Sequence, residues 1–150
     1  MQQADEELEQ LLNAIIPFAQ RMLVRHGEFY PFAAAVNQNG KLKFIGEFVG
    51  DLPERANPLS GGLIGYLREQ LIAGASKGEY RATGICSGVQ VDVSGQKEKG
   101  DAVRISVEHL EGQAMDVFLP YQLDPSGEVA YGDVYAAVAE PVIFVRGFND

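Results

Sequence analysis

The sequence predicts an α+β fold, a mainly antiparallel twisted sheet built from a hairpin and a meander with two helices packed on it. Three observations carry this. From Gly88 to Tyr121 apolar and polar residues alternate: Val89, Val91 and Val93, then Val103, Ile105 and Val107, then Met115, Val117 and Leu119 keep the period of two of half-buried antiparallel strands. Near the start, apolar residues recur every three or four positions, the spacing of a helix face. Between them, Asn39-Gly40 separates two short apolar runs and reads as a hairpin turn.

The first helix is carried by Leu8, Leu11, Leu12, Ile15, Ile16, Ala19, Met22 and Leu23. Asp5, Glu6 and Glu7 sit where the helix dipole favours anions, Arg21, Arg25 and His26 where it favours cations, and Gly27 is the expected stop. Pro17 has no N–H and crowds the carbonyl of Asn13, so a kink or a split is expected there. The hairpin sets Phe32, Ala34 and Val36 against Leu42, Phe44 and Phe48. A loop through Pro53 and Pro58 leads to a second helix marked by Leu59, Leu63, Ile64, Leu67 and Leu71, capped by Asn57 or Ser60 and stopped by Gly78. Four strands follow, at about Tyr80 to Val93, Ala102 to Leu110, Ala114 to Leu123 and Val129 to Val138, with Val142 to Val145 as a fifth strand or an edge extension. Profilin-like and PAS-like domains share this element order, and such scaffolds host many unrelated functions.

A chain of 150 residues fits one domain, 1–150, and at that size hides roughly 70% of its unfolded surface. No apolar stretch approaches the ~20 residues of a membrane span, and the opening MQQADEELEQ lacks the basic start and apolar run of a secretory signal, so a cytoplasmic location is expected. Cys86, the only cysteine, precludes an internal disulfide and a thiolate metal cluster. A net charge of −9 with twelve scattered basic residues opposes nucleic acid and anionic membranes and leaves a basic protein partner open.

Cys86 and His109 are the residues that would serve as thiol nucleophile and base. Aligning the apolar rows, Val91 with Ile105 and Val93 with Val103, sets Ser87 near His109 and turns Cys86 to the other face, as an inert packed thiol. His109 continues the row of Val103, Ile105 and Val107 and is expected opposite Met115, as a satisfied core or rim histidine. Glu108, Ser106 and Arg104 point the other way, and there Arg104 is expected to pair with Asp92 or Glu108 in a solvated network. His26 and Glu28 lack a third ligand, and Glu47, Asp51, Glu54 and Asp101 form no calcium loop, so no metal is expected. Gly61, Gly62 and Gly65 open a helix without the Lys-Ser or Lys-Thr of a phosphate loop, and no cofactor is expected. Of Tyr30, Phe32, Tyr121, Tyr131 and Tyr135, most are expected in the core, with Tyr121 facing Tyr131 across the turn Asp124-Pro125-Ser126-Gly127.

The stretch Phe29-Tyr30-Pro31-Phe32-Ala33 leading to Asn39-Gly40, with Val117-Phe118-Leu119-Pro120-Tyr121 later, resembles a group of short bacterial proteins with no assigned function. The resemblance covers most of the chain, implies a bacterial cytoplasmic origin and supplies no catalytic residue. The residues therefore point to a non-catalytic protein-interaction or regulatory module. It would self-associate, if at all, through the edge of the Phe32 to Phe48 hairpin or of Val142 to Val145. The alternative is a small-molecule sensor or enzyme with a pocket between sheet and helices, using Arg104, Glu108 and His109.

Overall fold

The computed structural model describes residues 2–27, 31–45, 62–93, 95 and 97–144. Outside them fall Glu28 to Tyr30, Glu47, Phe48, Asp51, Glu54, Asn57, Leu59, Ser60, Gly61 and Val145, and with them the proposed cap of the second helix. The architecture is α+β: helices α1 (Gln2–His26) and α2 (Gly62–Ser76) pack on an open antiparallel sheet of seven strands. These are β1 (Phe32–Asn37), β2 (Leu42–Ile45), β3 (Tyr80–Val91), β4 (Gly100–His109), β5 (Ala114–Leu123), β6 (Val129–Tyr131) and β7 (Tyr135–Val138). The order is β2-β1-β3-β4-β5-β6, with β7 also paired to β5.

The leucine stripe of α1 is buried as its spacing demands: Leu8, Leu11, Ile15, Ala19 and Leu23 pack on Phe32, Ala34, Val36, Cys86, Ile105 and Val107. α1 is continuous through Pro17. Pro17 and Asn13 both lie on the exposed side of the helix, so the carbonyl that loses its intrahelical donor faces water. Gly27, at φ 72°, ends the helix by donating its N–H to Leu23 O.

The second helix covers the opposite face of the sheet, with Leu63, Leu67 and Leu71 against Ala33, Ala35 and Ile85. It closes on a Schellman motif, Glu79 N–H to Gly74 O and Gly78 N–H to Ala75 O, with Gly78 at φ 74°. At Gly74 the helix meets the Tyr80 ring so closely that a Cβ there would lie 2.2 Å from Tyr80 Cε2.

The Asn39-Gly40 hairpin forms between β1 and β2, with Val36 opposite Leu42 and Ala33 opposite Ile45. Only Gly40 has positive φ there, so the tip is a type I turn closed by a glycine rather than a two-residue type I′ turn. Asn37 Oδ1 accepts the N–H groups of Asn39 and Lys41 and fixes it.

The strand expected at Val129 to Val138 is two strands. β6 and β7 both pair with β5, and their registers differ by one residue on either side of Gly132 to Val134. Pro120, which has no N–H to give the ladder, lies on β5 at this break, and its carbonyl accepts the Gly132 N–H. Tyr121 faces Tyr131 as expected, but Tyr131 and Tyr135 are exposed rather than core. Val142 to Phe144 make no strand.

The β3–β4 register corrects the valine alignment. Cys86 faces Ile105, Gly88 faces Val103 and Ala82 faces His109. Cys86 is therefore on the α1 face with His109, not opposite to it. His109 also misses Met115, which pairs with Val107. The reason lies in β3, whose residues Ala82 to Ser87 are all buried, because both faces are covered by helices. The small side chains Ala82 and Gly84 seat α1, and Ile15 Cδ1 stands 2.8 Å from where a Gly84 Cβ would be. The valines used for the alignment belong to the outer end of the strand.

Two glycines of α2 give a check with opposite signs. Gly65 is exposed with open space around its Cβ position, so Gly65→Ala is expected to stabilise by about 0.5–1 kcal/mol. Gly74→Ala drives a methyl into the Tyr80 ring and is expected to destabilise by about 1–3 kcal/mol despite the same helix-propensity gain. Urea denaturation of the two variants measures both.

Candidate functional site

The two faces of the sheet hold different polar assemblies. On the α1 face, β4 ends at His109, whose side chain is fully buried. Its Nε2 lies 2.7 Å from Glu7 Oε1, and its Nδ1 accepts the Glu111 N–H at 3.1 Å, which assigns the Nε2 proton to the Glu7 bond. The other side of the Glu7 carboxylate takes Arg81, with Nε 2.7 Å from Oε2 and 3.0 Å from Oε1. Burial disfavours the Glu7 anion, but the hydrogen bonds and charges of Arg81 and His109 outweigh it and hold the carboxyl below its ordinary value of 4.5.

The sequence presents Glu7 only as one of the acids at the start of the first helix, and it does not single out Arg81. Glu7 stands four residues before Leu11 and eight before Ile15, in line with the buried stripe, and that spacing was its signal. Nothing local marks Arg81. It is the extra residue of a bulge where Val36 pairs with Ala82 but Asn37 with Tyr80. The bulge lets Tyr80 pack under α2 while the Arg81 guanidinium reaches Glu7 on α1.

Glu7 joins α1 to the ends of β3 and β4, and all three members are committed to one another. Cys86 lies four residues along β3 from Ala82, the cross-strand neighbour of His109, which is about 13 Å of strand. Burial pushes its thiol far above the ordinary cysteine range. The thiol and the imidazole share a face without meeting, and neither is presented to a substrate.

On the α2 face, the register lays residues out in ranks. Ser87, Arg104, Phe118 and Tyr135 form one, Ile85, Ser106, Asp116 and Ala137 the next, and Thr83, Glu108 and Ala114 the third. A cavity of about 310 Å³ lies over them, walled by Ile64 and Arg68 of α2 and by the chain from Val138 to Ile143. Arg104 and Glu108 both line it, whereas His109 lies beneath α1 on the far side of the sheet.

Glu108 is not part of a solvated network. It is 5% exposed, and its carboxylate accepts the N–H groups of Val142, Ile143 and Phe144 at 2.9, 2.9 and 3.2 Å. It thereby ties down the segment whose Ile143 joins the α2 core. Arg104 pairs with neither Asp92 nor Glu108. Its one hydrogen bond among the described residues is a long one, Nη2 to Ser87 Oγ at 3.5 Å, and its Nε is buried without a partner.

Among the described residues no three His, Cys, Asp or Glu side chains gather as metal ligands, and no helix is long and apolar enough to cross a membrane. Comparison with family models, with curated proteins and with solved structures gives no match.

Two measurements check these assignments. Because the folded pKa of Glu7 lies below its unfolded value, its contribution is complete above the unfolded value and is lost as pH falls through the folded one. Glu7→Gln is expected to cost about 1–3 kcal/mol near neutrality by leaving Arg81 and His109 without their anion. That deficit should shrink as pH falls below 4.5 and through the lower folded value, where the wild type loses the same interaction. Denaturant titrations of both proteins across that range give the answer. Separately, Ellman's reagent should leave Cys86 untouched in the native protein and label it once the chain is unfolded.

Proposed function

We propose that this chain is a non-catalytic protein-interaction module of the bacterial cytoplasm, capturing an extended segment of a partner along the outer edge of β7. The observation that carries the reading is the exposure of that edge. All four residues of β7 are exposed, Val138 at 97%, and Val134 before it and Val142 after it are exposed apolar residues as well. Among the described residues β7 has no partner but β5, and it carries no lysine, proline or inward-pointing charge to blunt pairing. The Ala139 N–H is given to Ala114 O on β5, so by the alternation of a strand the backbone groups of Ala136 and Val138 point outward. Strand addition of this kind draws affinity from main-chain hydrogen bonds and specificity from alternate side chains.

The ends of the edge choose the partner. Asp133 and Glu140 flank an uncharged strand and are exposed, in a chain of net charge −9. Antiparallel pairing of two copies would lay the Asp133 end of one beside the Glu140 end of the other, which like charges oppose. A segment with an apolar centre and basic ends meets no such opposition.

The test is fluorescence anisotropy with two labelled peptides of alternating Val and Thr, one ended by Lys and one by Glu. The Lys-ended peptide is expected to bind at least tenfold more tightly, with an affinity that falls as salt rises. Val138→Pro removes an outward N–H without taking a bond from the β5 ladder, so it should abolish binding and leave the protein folded, whereas Ala137→Pro should destabilise it. Failure of the Lys-ended peptide to bind, or binding unaffected by Val138→Pro, overturns the reading. Light scattering that finds a dimer dissolved by Val138→Pro would assign the edge to a second copy instead.

A further inference from the structure

The cavity on the α2 face holds opposite charges that do not meet. Arg104 and Asp116 stand on adjacent strands, one rank apart on one face, and both line the cavity together with Arg68 and Glu140 at its mouth. At such diagonal positions long side chains come within reach of each other, yet among the described residues none of these four is in an ion pair. Arg104 is the more telling. The side of its guanidinium formed by Nε and Nη2 is the fork that grips a carboxylate with two parallel hydrogen bonds. Here one prong is buried and idle and the other reaches Ser87 Oγ only at 3.5 Å. A buried donor without a partner is destabilising, and a carboxylate drawn onto this fork would relieve it.

The balance of charge narrows the ligand. Glu108 is already satisfied by three backbone N–H groups, which leaves two cations, Arg68 and Arg104, against two free carboxylates, Asp116 and Glu140. A phosphate dianion would meet Asp116 and Glu140 as like charges, and a simple amine would leave the Arg104 fork empty. A molecule with a carboxylate and an ammonium satisfies both sides. Beside these charges and the hydroxyls of Ser87 and Ser106, the cavity is walled by Ile64, Ile85 and Ile143. At about 310 Å³ the cavity is at the small end of ligand pockets, which run from roughly 300 to 1,000 Å³.

We infer that this cavity is a binding site for a free aliphatic amino acid, with the ligand carboxylate on Arg104 and Ser87, its ammonium on Asp116, and its side chain among Ile64, Ile85 and Ile143. The inference does not rest on the β7 edge reading, although Val138 and Glu140 border both the edge and the cavity.

Thermal-shift titration of the whole chain with valine, leucine, isoleucine and methionine, up to about 10 mM, is the first test, since a ligand of the folded state raises the melting temperature in a dose-dependent way. At least one should do so. Its N-acetyl derivative, which keeps the carboxylate and loses the ammonium, and its decarboxylated amine should each bind at least tenfold more weakly. Arg104→Gln should remove the shift. Asp116→Asn should weaken the amino acid while leaving the N-acetyl derivative unchanged. Should Arg104→Gln not fold, the wild-type Arg104 Nε–H resonance, followed by NMR during the titration, is expected to move and saturate with the same midpoint. The proposal is overturned if none of the four amino acids shifts the melting temperature. It is equally overturned if the N-acetyl derivative or inorganic phosphate binds as well, or if the Arg104 resonance stays still.

Discussion

Everything in this fold rests on β1 and β3 being buried on both sides at once. Ala33, Ala34 and Ala35 of β1 and Ala82 to Ser87 of β3 lie between α1 and α2, and apart from Ile85 their side chains are short, which lets both helices lie close to the sheet. Gly84 shows how tight the seat is, since a methyl in place of its hydrogen would press on Ile15. Interiors at crystal-like packing density tolerate little added volume, so the small central strands let the sheet carry a helix on each face. The larger apolar side chains are supplied by the helices and by the neighbouring strand, with Leu11 and Ile15 above, Leu63 and Leu67 below, and Ile105 and Val107 on β4.

The two-sided sheet also separates the polar chemistry of the molecule. Successive residues of β4 point to opposite faces, so His109 goes under α1 while Arg104, Ser106 and Glu108 go under α2. On the first face the polar groups are consumed. Glu7, Arg81 and His109 saturate one another, and breaking such a set leaves charge or donors stranded in a partly buried place. On the second face one carboxylate is consumed by Val142 to Phe144, while among the described residues Arg104 and Asp116 make no ion pair in the cavity they line. The contrast between satisfied and idle polar groups directs attention to the α2 face, because buried polar groups are as a rule paired. The ordering of the chain after β7 by Glu108 builds one wall of that cavity and leaves the β7 edge itself bare.

How far the residues could be read depended on whether their surroundings were one-sided. The alternation of Val103, Ile105 and Val107, the helical spacing of Leu8 to Leu23 and the Asn39-Gly40 turn all report a face or a local bend, and each is found where expected. The β3–β4 register escaped because the part of β3 that pairs in the centre is small and buried on both faces, and so carries no alternation; the valines that do alternate lie at its outer end. The same cause put Cys86 on the wrong side of the sheet. The split of the last strand depends on Pro120, a residue of the neighbouring strand rather than of the segment itself. Glu7 was readable as a member of the buried stripe, whereas Arg81 reaches it only through a bulge.

The order of residues by itself determined the α+β class, the apolar face of the first helix and the existence of the second helix, the hairpin and the meander, because these follow from local periodicity and turn chemistry over a few residues. Only the tertiary structure decided which strand positions face one another, that Glu108 holds the chain after β7, that Glu7 gathers Arg81 and His109, and that among the described residues the buried Nε of Arg104 has no partner. Each of these joins groups distant along the chain, and their meeting is set by packing two helices against opposite faces of one sheet, which no short stretch of sequence encodes.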